Sequence, residues 1–385
     1  MENNKNFKKS IVKLGKNIAI KNKKMTCESD ILQCFTSPYS ATIVEILENA
    51  NINYEHVQND YEFGVKGVLS SVKNNNTQEF PMILQDFSGT PRMDACYNSV
   101  FSFKPTYGTF SRYGVASVAN SFDQLSITSD NLEEIYNLAN ILAIKDNKDQ
   151  NSINNDSFGL EFQSLINSDM KIAIPKEIYS LVEDSNIISN FKKKIDELKN
   201  KGVIIEEIET EFLEDSLKTY IILSNIEISS NMSRYDALVY GYRTEEYETI
   251  EEMYEKSRQE GLGIDIKSRI LLGNYLINAN QKEKHYDAAI EIRKSINSTL
   301  NEIFEDYDLI MMPTVLFDYD KYSKINNLTD LFKSEIFAHL PNLLGNPAIQ
   351  FPISKGIGLQ FIGRKLKDVD VFKGCKLMEE VKNEY

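Results

Sequence analysis

The stretch that decides the fold covers residues 103–122 and reads FKPTYGTFSRYGVASVANSF, followed by DQLS at 123–126. Shortly before it lies a loop of small and polar residues, QDFSGTPR, at 85–92. Small residues allow backbone N–H groups to point at a ligand, so such a loop can form an oxyanion hole beside a hydroxyl nucleophile. Turns use the same residues, so the loop alone does not identify an enzyme.

On both sides of this stretch, short apolar segments rich in β-branched residues alternate with longer segments of helical periodicity. This alternation is typical of a layered α/β fold, in which helices cover a sheet. The predicted strands are residues 17–21, 171–175, 203–209, 309–313 and 358–362. The predicted helices are residues 41–50, 132–143 and 188–201, together with a long region, 250–304, that breaks near 261–263. The segment DNKDQNSINNDS at 146–157 has little apolar area to bury and is predicted to be a surface loop.

The composition excludes several classes of function. With 43 basic and 57 acidic residues the formal net charge is −14, which as a whole repels a nucleic-acid backbone. The four cysteines and three histidines are scattered, so we expect reduced thiols and no metal site. The N-terminus lacks the apolar core of a secretory signal, and no segment has the apolar length of a bilayer span. We therefore expect a cytoplasmic protein with no membrane partner.

The segment at 103–126 resembles the stretch that follows the nucleophile loop in amidase-signature enzymes. It is most similar to the A subunit of the aspartyl/glutamyl-tRNA amidotransferase. Two later segments, EISSNMSRYDALVYGYR at 227–243 and SRQEGLGIDIKSRILLGNYL at 257–276, resemble the A subunit more specifically than amidases in general. The resemblance covers about residues 18–361. It implies a single amidase-signature domain over 1–385, shortened at its N-terminus, with a mixed, twisted β-sheet covered by helices on both faces.

The resemblance also implies catalytic residues. Counting back from Lys104 places DFSGT, residues 86–90, over the family's D-T-G-G-S, so that Thr90 occupies the position of the nucleophilic serine. The oxyanion loop is then formed by Phe87, Ser88 and Gly89, of which the first two replace smaller residues. Upstream, NIAIKNKKMTCESDIL at 17–32 resembles the strand that ends in the catalytic lysine, which implies Lys21 as the base.

A lysine at the end of an apolar strand can be desolvated, which lowers its pKa and allows the neutral amine to act as a base. Without the resemblance, Lys21 is one of several surface lysines, beside Lys23 and Lys24.

By the same alignment, the residues that hold the donor glutamine are Tyr220, Arg269 and Glu335. The planar guanidinium of arginine suits the α-carboxylate of an amino acid, and an acidic side chain suits the α-ammonium. Glu335 replaces an aspartate of the family. Without the resemblance, these residues would be a core tyrosine, a helix charge and a surface carboxylate.

The chain departs from the family in the proton relay. The family places a second serine in a G-G-S-S-G-G-S loop, and this loop is missing from the shorter segment between Phe63 and Thr90. Shifting the gap places Ser70 or Ser71 over the relay serine, whereas an unshifted count places Lys66 there. The extra methyl group of threonine also restricts χ1 at the nucleophile. Because members of a catalytic unit act non-additively, these losses predict inefficient glutamine hydrolysis.

Three functions remain open from the sequence. The first is a glutaminase subunit that supplies ammonia to a partner B subunit, within a complex that also contains a C subunit. In the family the B subunit binds tRNA and uses ATP with magnesium, and no cofactor is expected in this chain. The second is a pseudoamidase that acts as a scaffold or binds glutamine without hydrolysing it. The third is an amidase for an unrelated small amide, which the pairing of Arg269 with Glu335 disfavours.

Overall fold

The computed structural model describes residues 11–58, 61–67, 81–165, 170–278 and 281–382. The strands are β1 (Val12–Gly15), β2 (Tyr54–Val57), β3 (Met82–Asp86), β4 (Phe101–Lys104), β5 (Gln124–Ser129), β6 (Lys171–Pro175), β7 (Ile204–Ile208), β8 (Leu309–Pro313), β9 (Ala348–Ser354) and β10 (Ile357–Gly363). The α-helices are α1 (Thr42–Asn49), α2 (Thr90–Tyr97), α3 (Leu132–Leu142), α4 (Ile178–Leu181), α5 (Ser185–Asn200), α6 (Leu213–Met232), α7 (Ile250–Gly261), α8 (Ile264–Ile277), α9 (Ala288–Asp306), α10 (Tyr319–Tyr322), α11 (Leu328–Ser334), α12 (Leu340–Leu344) and α13 (Asp368–Lys382). Short 3₁₀ turns cover Asp30–Leu32, Glu62–Gly64 and Phe162–Ser164, and a π-helical turn, Glu283–Asp287, precedes α9.

All ten strands form one mixed sheet in the order β2-β1-β3-β5-β4-β9-β10-β8-β6-β7. The pairs at both edges are parallel, and the five pairs between β3 and β8 are antiparallel. Side chains alternate between the two faces of a strand. Every residue of β5, β8 and β10 is buried, so both faces of the central sheet are covered. The predicted α/β fold, with helices on both faces of a mixed sheet, is confirmed.

Most of the predicted elements are present. The strands expected at 171–175, 203–209, 309–313 and 358–362 correspond to β6, β7, β8 and β10. The three short helices correspond to α1, α3 and α5, and the long region at 250–304 is divided into α7, α8 and α9 with a break after Gly261.

The strand predicted at 17–21 is wrong. The strand of this region is β1, which ends at Gly15, and Ile18 makes only an isolated bridge to Val115. The apolar residues Ile18 and Ala19 are nevertheless fully buried. Their backbone bonds go to loops, since Ala19 N–H donates to Gly114 C=O. The apolar residues of this segment lie in a buried bend, and the sequence pattern does not distinguish such a bend from a strand.

The segment at 146–157 has no regular structure, as predicted, but it is not simply a surface loop. Ser152 and Asn155 are buried. The Asn155 amide donates to Asp368 at 2.7 Å and to Thr109 at 2.9 Å. Asp146 accepts hydrogen bonds from Thr42 and Ser111, both at 2.6 Å. Polar contacts rather than apolar area hold this segment, and hydrophobic patterning does not detect such contacts.

The KPTYG turn after β4 anchors this segment. Thr106 donates to the buried Asp368 carboxylate from its backbone N–H and from its hydroxyl, both at 2.6 Å. Gly108 has φ +87°, and a Cβ there would lie 2.2 Å from Asn151 C=O. This close approach requires glycine. The turn therefore joins β4, the 146–157 segment and α13.

Candidate active site

The predicted nucleophile loop connects a strand to a helix. β3 ends at Asp86, and α2 begins at Thr90, whose side chain is buried. Between them Gly89 has φ +87°, and a Cβ on Gly89 would lie 2.6 Å from the carbonyl oxygen of Ala338. The left-handed conformation turns the chain sharply from sheet to helix and is accessible to glycine at little cost.

A buried ion pair fixes both ends of this turn. The Asp86 carboxylate accepts from Gly89 N–H at 2.7 Å and from Arg92 Nε at 3.3 Å, and both charged side chains are fully buried. Arg92 also donates to Ala338 C=O, to Asn342 and to Gln360 at 2.5–2.8 Å. Burial acts to raise the pKa of Asp86, but the charge of Arg92 and the hydrogen bonds to the carboxylate hold it below its ordinary value.

The loop itself contains a hydroxyl pair. Thr90 Oγ1 and Ser88 Oγ share a hydrogen bond of 2.8 Å. Of the three residues predicted to form the oxyanion loop, Gly89 already donates its N–H to Asp86, and Phe87 accepts from the Tyr220 hydroxyl at 3.3 Å through its C=O. The N–H of Gly89 is therefore occupied, so an oxyanion hole here would need other donors.

Two of the predicted glutamine ligands lie on neighbouring helices, Tyr220 on α6 and Arg269 on α8. The helices approach closely at Gly273, where an added Cβ would lie 2.1 Å from Asn225 C=O. Arg269 lies one turn before Gly273 and so shares its helix face. Tyr220 and Arg269 are both buried, and the charge of Arg269 acts on the Tyr220 hydroxyl.

Glu335, directly after α11, completes the cluster. It is fully buried, and its carboxylate oxygens make no close hydrogen bond within the described part of the chain, while the nearby Ser88 hydroxyl acts to lower its pKa. Arg269 Nη2 donates to the backbone C=O of Lys66 at 3.0 Å, but Nε and Nη1 have no such partner within the same residues. Burial raises the pKa of Glu335 to about 7, against the opposing charges of Arg269 and Lys66. Unpaired buried charges are costly, so this arrangement favours a bound ligand.

Sequence reasoning missed the environment of Lys66. This lysine is buried, and its Nζ lies 3.5 Å from the centre of the Tyr322 ring without a hydrogen bond to any described residue. Burial lowers its pKa to about 8, while the carboxylates of Asp94 and Glu335 act in the opposite direction. The unshifted residue count placed Lys66 at the position of the family's relay serine, and this count was the indication in the sequence that Lys66 lies near the site.

His339 was also missed as part of the site. Its Nδ1 lies 2.8 Å from Glu335 C=O, its Nε2 lies 2.9 Å from Ser216 Oγ, and its ring centre is 5.4 Å from that of Tyr220. Burial lowers the pKa of His339 to about 4, so the ring is neutral at pH 7. It orients the Glu335 backbone and packs on Tyr220. His339 is far from the other two histidines in the sequence, so no histidine motif predicted this role.

The structure does not bring Lys21 into a buried position. Lys21 is exposed in a turn, and its backbone N–H donates to Ser40 Oγ at 3.1 Å. The desolvation predicted for this lysine is therefore wrong. The residue that directly follows β1 is Lys16, whose Nζ lies 3.3 Å from Glu28 Oε1. The alternative relay residues Ser70 and Ser71 lie outside the described residues.

The described residues contain neither a candidate metal centre nor a membrane-spanning helix. No set of three or more His, Cys, Asp or Glu side chains among them could hold a metal ion. Within the same ranges, no helix combines the length and apolar character needed to cross a membrane.

The chain is similar to known proteins both in sequence and in fold. A model of the amidase family matches residues 85–372. The A subunit of glutamyl-tRNA(Gln) amidotransferase from Borreliella burgdorferi is 32% identical over 95% of this chain and 82% of its own length. That of Sulfurisphaera tokodaii is 30% identical over 97% of this chain and 85% of its own length. The crystal structure of the Thermotoga maritima protein of the same name has the same fold, with a TM-score of 0.75 at 24% identity, covering 96% of this chain and 83% of that one.

Substituting Gly89 tests how tightly the loop is packed. Gly202 provides a matched control, because it also has positive φ but an added Cβ would meet nothing within 4 Å. We expect Gly202→Ala to lower the free energy of unfolding by about 1 kcal/mol, the cost of the left-handed conformation. Gly89→Ala should cost at least about 1 kcal/mol more, because its Cβ would overlap Ala338 C=O. Urea denaturation measures both values, and equal losses would contradict the close contact.

Proposed function

Because the chain belongs to the amidase family, we propose that it is the glutamine-hydrolysing component, the A subunit, of a tRNA-dependent amidotransferase. One observation carries the proposal. Tyr220, Arg269 and Glu335 are far apart in sequence, yet they lie in one buried cluster, next to the Thr90 loop, with charged atoms that have no described protein partner.

The cluster suits the two charged groups of an amino acid. Arg269 offers Nε–H and Nη1–H to an α-carboxylate, and Glu335 offers two oxygens to an α-ammonium. Charge-assisted hydrogen bonds of this kind are stronger than neutral ones, especially where water is excluded. The Ser88 hydroxyl, which is hydrogen-bonded to Thr90, also interacts with the Glu335 carboxylate and lowers its pKa. The glutamine side chain would extend from the cluster toward the Thr90 hydroxyl.

Thr90 is the proposed nucleophile. Its oxygen would bond to the carboxamide carbon of glutamine, and the C–N bond would break to release ammonia. Its hydroxyl proton would pass by way of Ser88 Oγ, which lies 2.8 Å away, to the leaving nitrogen, which thereby departs as ammonia. Water would then hydrolyse the threonyl ester and release glutamate.

Support for a wider assembly comes from the relatives, which are named as A subunits. Ammonia would pass to a B subunit that binds tRNA and uses ATP with magnesium, in a cytoplasmic complex with a C subunit. The chain itself would need no cofactor. Its net charge of −14 supports indirect contact with tRNA through the B subunit.

Removing the Thr90 hydroxyl tests its catalytic role. Ammonia release from L-glutamine, measured with the B and C subunits present, should fall on the order of 10³-fold or more in Thr90→Ala. Thr329→Ala, at an exposed position of α11, should retain the wild-type rate. Equal rates in wild type and Thr90→Ala would exclude Thr90 as the nucleophile.

The second candidate function is a pseudoamidase that binds glutamine without hydrolysing it. Its support is the exposed position of Lys21, the residue expected to act as the base. In this case ammonia release would be absent from wild type and from Thr90→Ala, while glutamine would still bind. Both candidate functions therefore depend on the same amino-acid pocket.

Arg269 tests that pocket independently of catalysis. We expect Arg269→Met to weaken glutamine binding on the order of 100-fold, because a desolvated charge-assisted contact is lost. Arg364→Met, an exposed position, should bind as wild type does. Isothermal titration calorimetry measures both variants. Unchanged affinity in Arg269→Met would exclude this residue from the pocket.

The raised pKa of Glu335 predicts a pH dependence. The carboxylate needed to hold an ammonium group is populated above about pH 7 and is lost as the pH falls. Glutamine affinity should therefore decrease between pH 7.5 and 5.5, by up to about tenfold per unit. His339, with a pKa of about 4, and Lys66, with a pKa of about 8, change charge little in this window.

Glu335→Gln should bind glutamine weakly, with affinity nearly independent of pH from 5.5 to 7.5. Glu305→Gln, at an exposed position, should keep the wild-type pH profile. A wild-type profile that is flat over this range would contradict the role given to the Glu335 carboxylate.

A further inference from the structure

Lys66 gives the proposed pocket a third charged side chain. The three charged residues of the pocket, Lys66, Arg269 and Glu335, are each at most 3% exposed. Lys66 Nζ, Arg269 Nε and Nη1 and both oxygens of Glu335 lack hydrogen-bond partners among the described residues. A ligand that pairs only with Arg269 and Glu335 would leave the Lys66 ammonium buried without an acceptor, which is costly.

The three groups are close to one another. Arg269 Nη2 donates to the backbone C=O of Lys66 at 3.0 Å, so the guanidinium lies against the lysine main chain. The positive charges of Lys66 and Arg269 both act to lower the pKa of the Glu335 carboxyl group. Lys66 Nζ lies on the Tyr322 ring, and the Arg269 guanidinium lies 4.9 Å from the centre of the Phe332 ring. Each cation lies on an aromatic ring, which stabilises its positive charge. The N–H groups of Lys66 Nζ and of Arg269 Nε and Nη1 remain available to a ligand.

The negative charge of the Asp94 carboxylate acts to raise the pKa of Lys66. It accepts a hydrogen bond from the Tyr61 hydroxyl at 3.1 Å, and it makes none with Lys66 Nζ. Asp94 thus helps to keep the lysine protonated without using its three N–H donors. With a pKa of about 8, Lys66 is mostly charged at pH 7.

We propose that Lys66 makes this pocket selective for an acidic α-amino acid, such as glutamate, over its amide. The α-carboxylate would bind Arg269, the α-ammonium would bind Glu335, and the second carboxylate would bind Lys66. Glutamine offers Lys66 only a neutral carbonyl oxygen, and hydrogen bonds between two charged groups are the stronger kind. The inference rests on the amino-acid pocket of the proposed function and adds a preference for the hydrolysis product.

Calorimetry with L-glutamate and L-glutamine, using the full chain at pH 7, tests the preference. We expect wild type to bind glutamate on the order of tenfold tighter than glutamine. Lys66→Met, which keeps the length of the side chain but removes its charge, should abolish the preference and retain glutamine binding. Lys66→Arg should keep the preference, and so should Lys355→Met, an exposed control. Circular dichroism establishes that each variant is folded.

The possible outcomes separate the inference from the proposed function. A glutamate-to-glutamine affinity ratio that is the same in wild type and Lys66→Met overturns the role of Lys66 and leaves the pocket intact. A wild type that binds glutamine more tightly than glutamate also overturns it. Failure of folded wild type to bind either amino acid contradicts the amino-acid pocket, and the inference fails with it. If Lys66→Met does not fold, Lys66→Gln, which also removes the charge but keeps a polar end, provides the same test at pH 7.

Discussion

The buried ion pair between Asp86 and Arg92 is the constraint on which the rest of the site depends. Asp86 ends β3 and Arg92 lies in the first turn of α2, so the pair closes the loop that contains Thr90. Arg92 also holds Gln360 of β10 and the backbone of Ala338, close to the Glu335 side of the pocket. Removing one partner of such a pair leaves a buried charge without compensation, at a cost of about 3–5 kcal/mol. The pair therefore couples the Thr90 loop to the segment that carries Glu335, which belongs to the proposed pocket.

The proposed pocket differs from this ion pair in how its buried charges are hydrogen-bonded. The side chains of Asp86 and Arg92 find hydrogen-bond partners within the protein, whereas Lys66, Arg269 and Glu335 carry charged atoms without a hydrogen-bond partner among the described residues. Buried groups of this kind reduce stability and are retained where they serve function. Ser88 connects the loop to this cluster, because it shares a hydrogen bond with Thr90 and lowers the pKa of Glu335.

Much of the fold followed from hydrophobic periodicity, because β6, β7, β8 and β10 are short apolar strands and α3 and α5 have clear apolar faces. Periodicity failed at residues 17–21, where Ile18 and Ala19 are buried without joining the sheet. It also failed at Asn155, whose burial depends on hydrogen bonds to Asp368 and Thr109 rather than on apolar area.

The candidate site was predictable only in part. Tyr220, Arg269 and Glu335 were selected by resemblance, and residues so distant in sequence cannot be brought together by local pattern. Lys21 was selected in the same way, but the structure places it in an exposed turn. The environments of Lys66 and His339 depend on tertiary burial, which no short-range signal in the sequence encodes.

A crystal structure of the protein soaked with L-glutamine tests the central claim most directly, because it locates the ligand. We predict electron density for the amino acid between Arg269 and Glu335, with its α-carboxylate on the guanidinium and its α-ammonium on the carboxylate. The carboxamide should point toward Thr90. An empty pocket at saturating glutamine, or an amino acid bound with its charged groups away from Arg269 and Glu335, would contradict the claim.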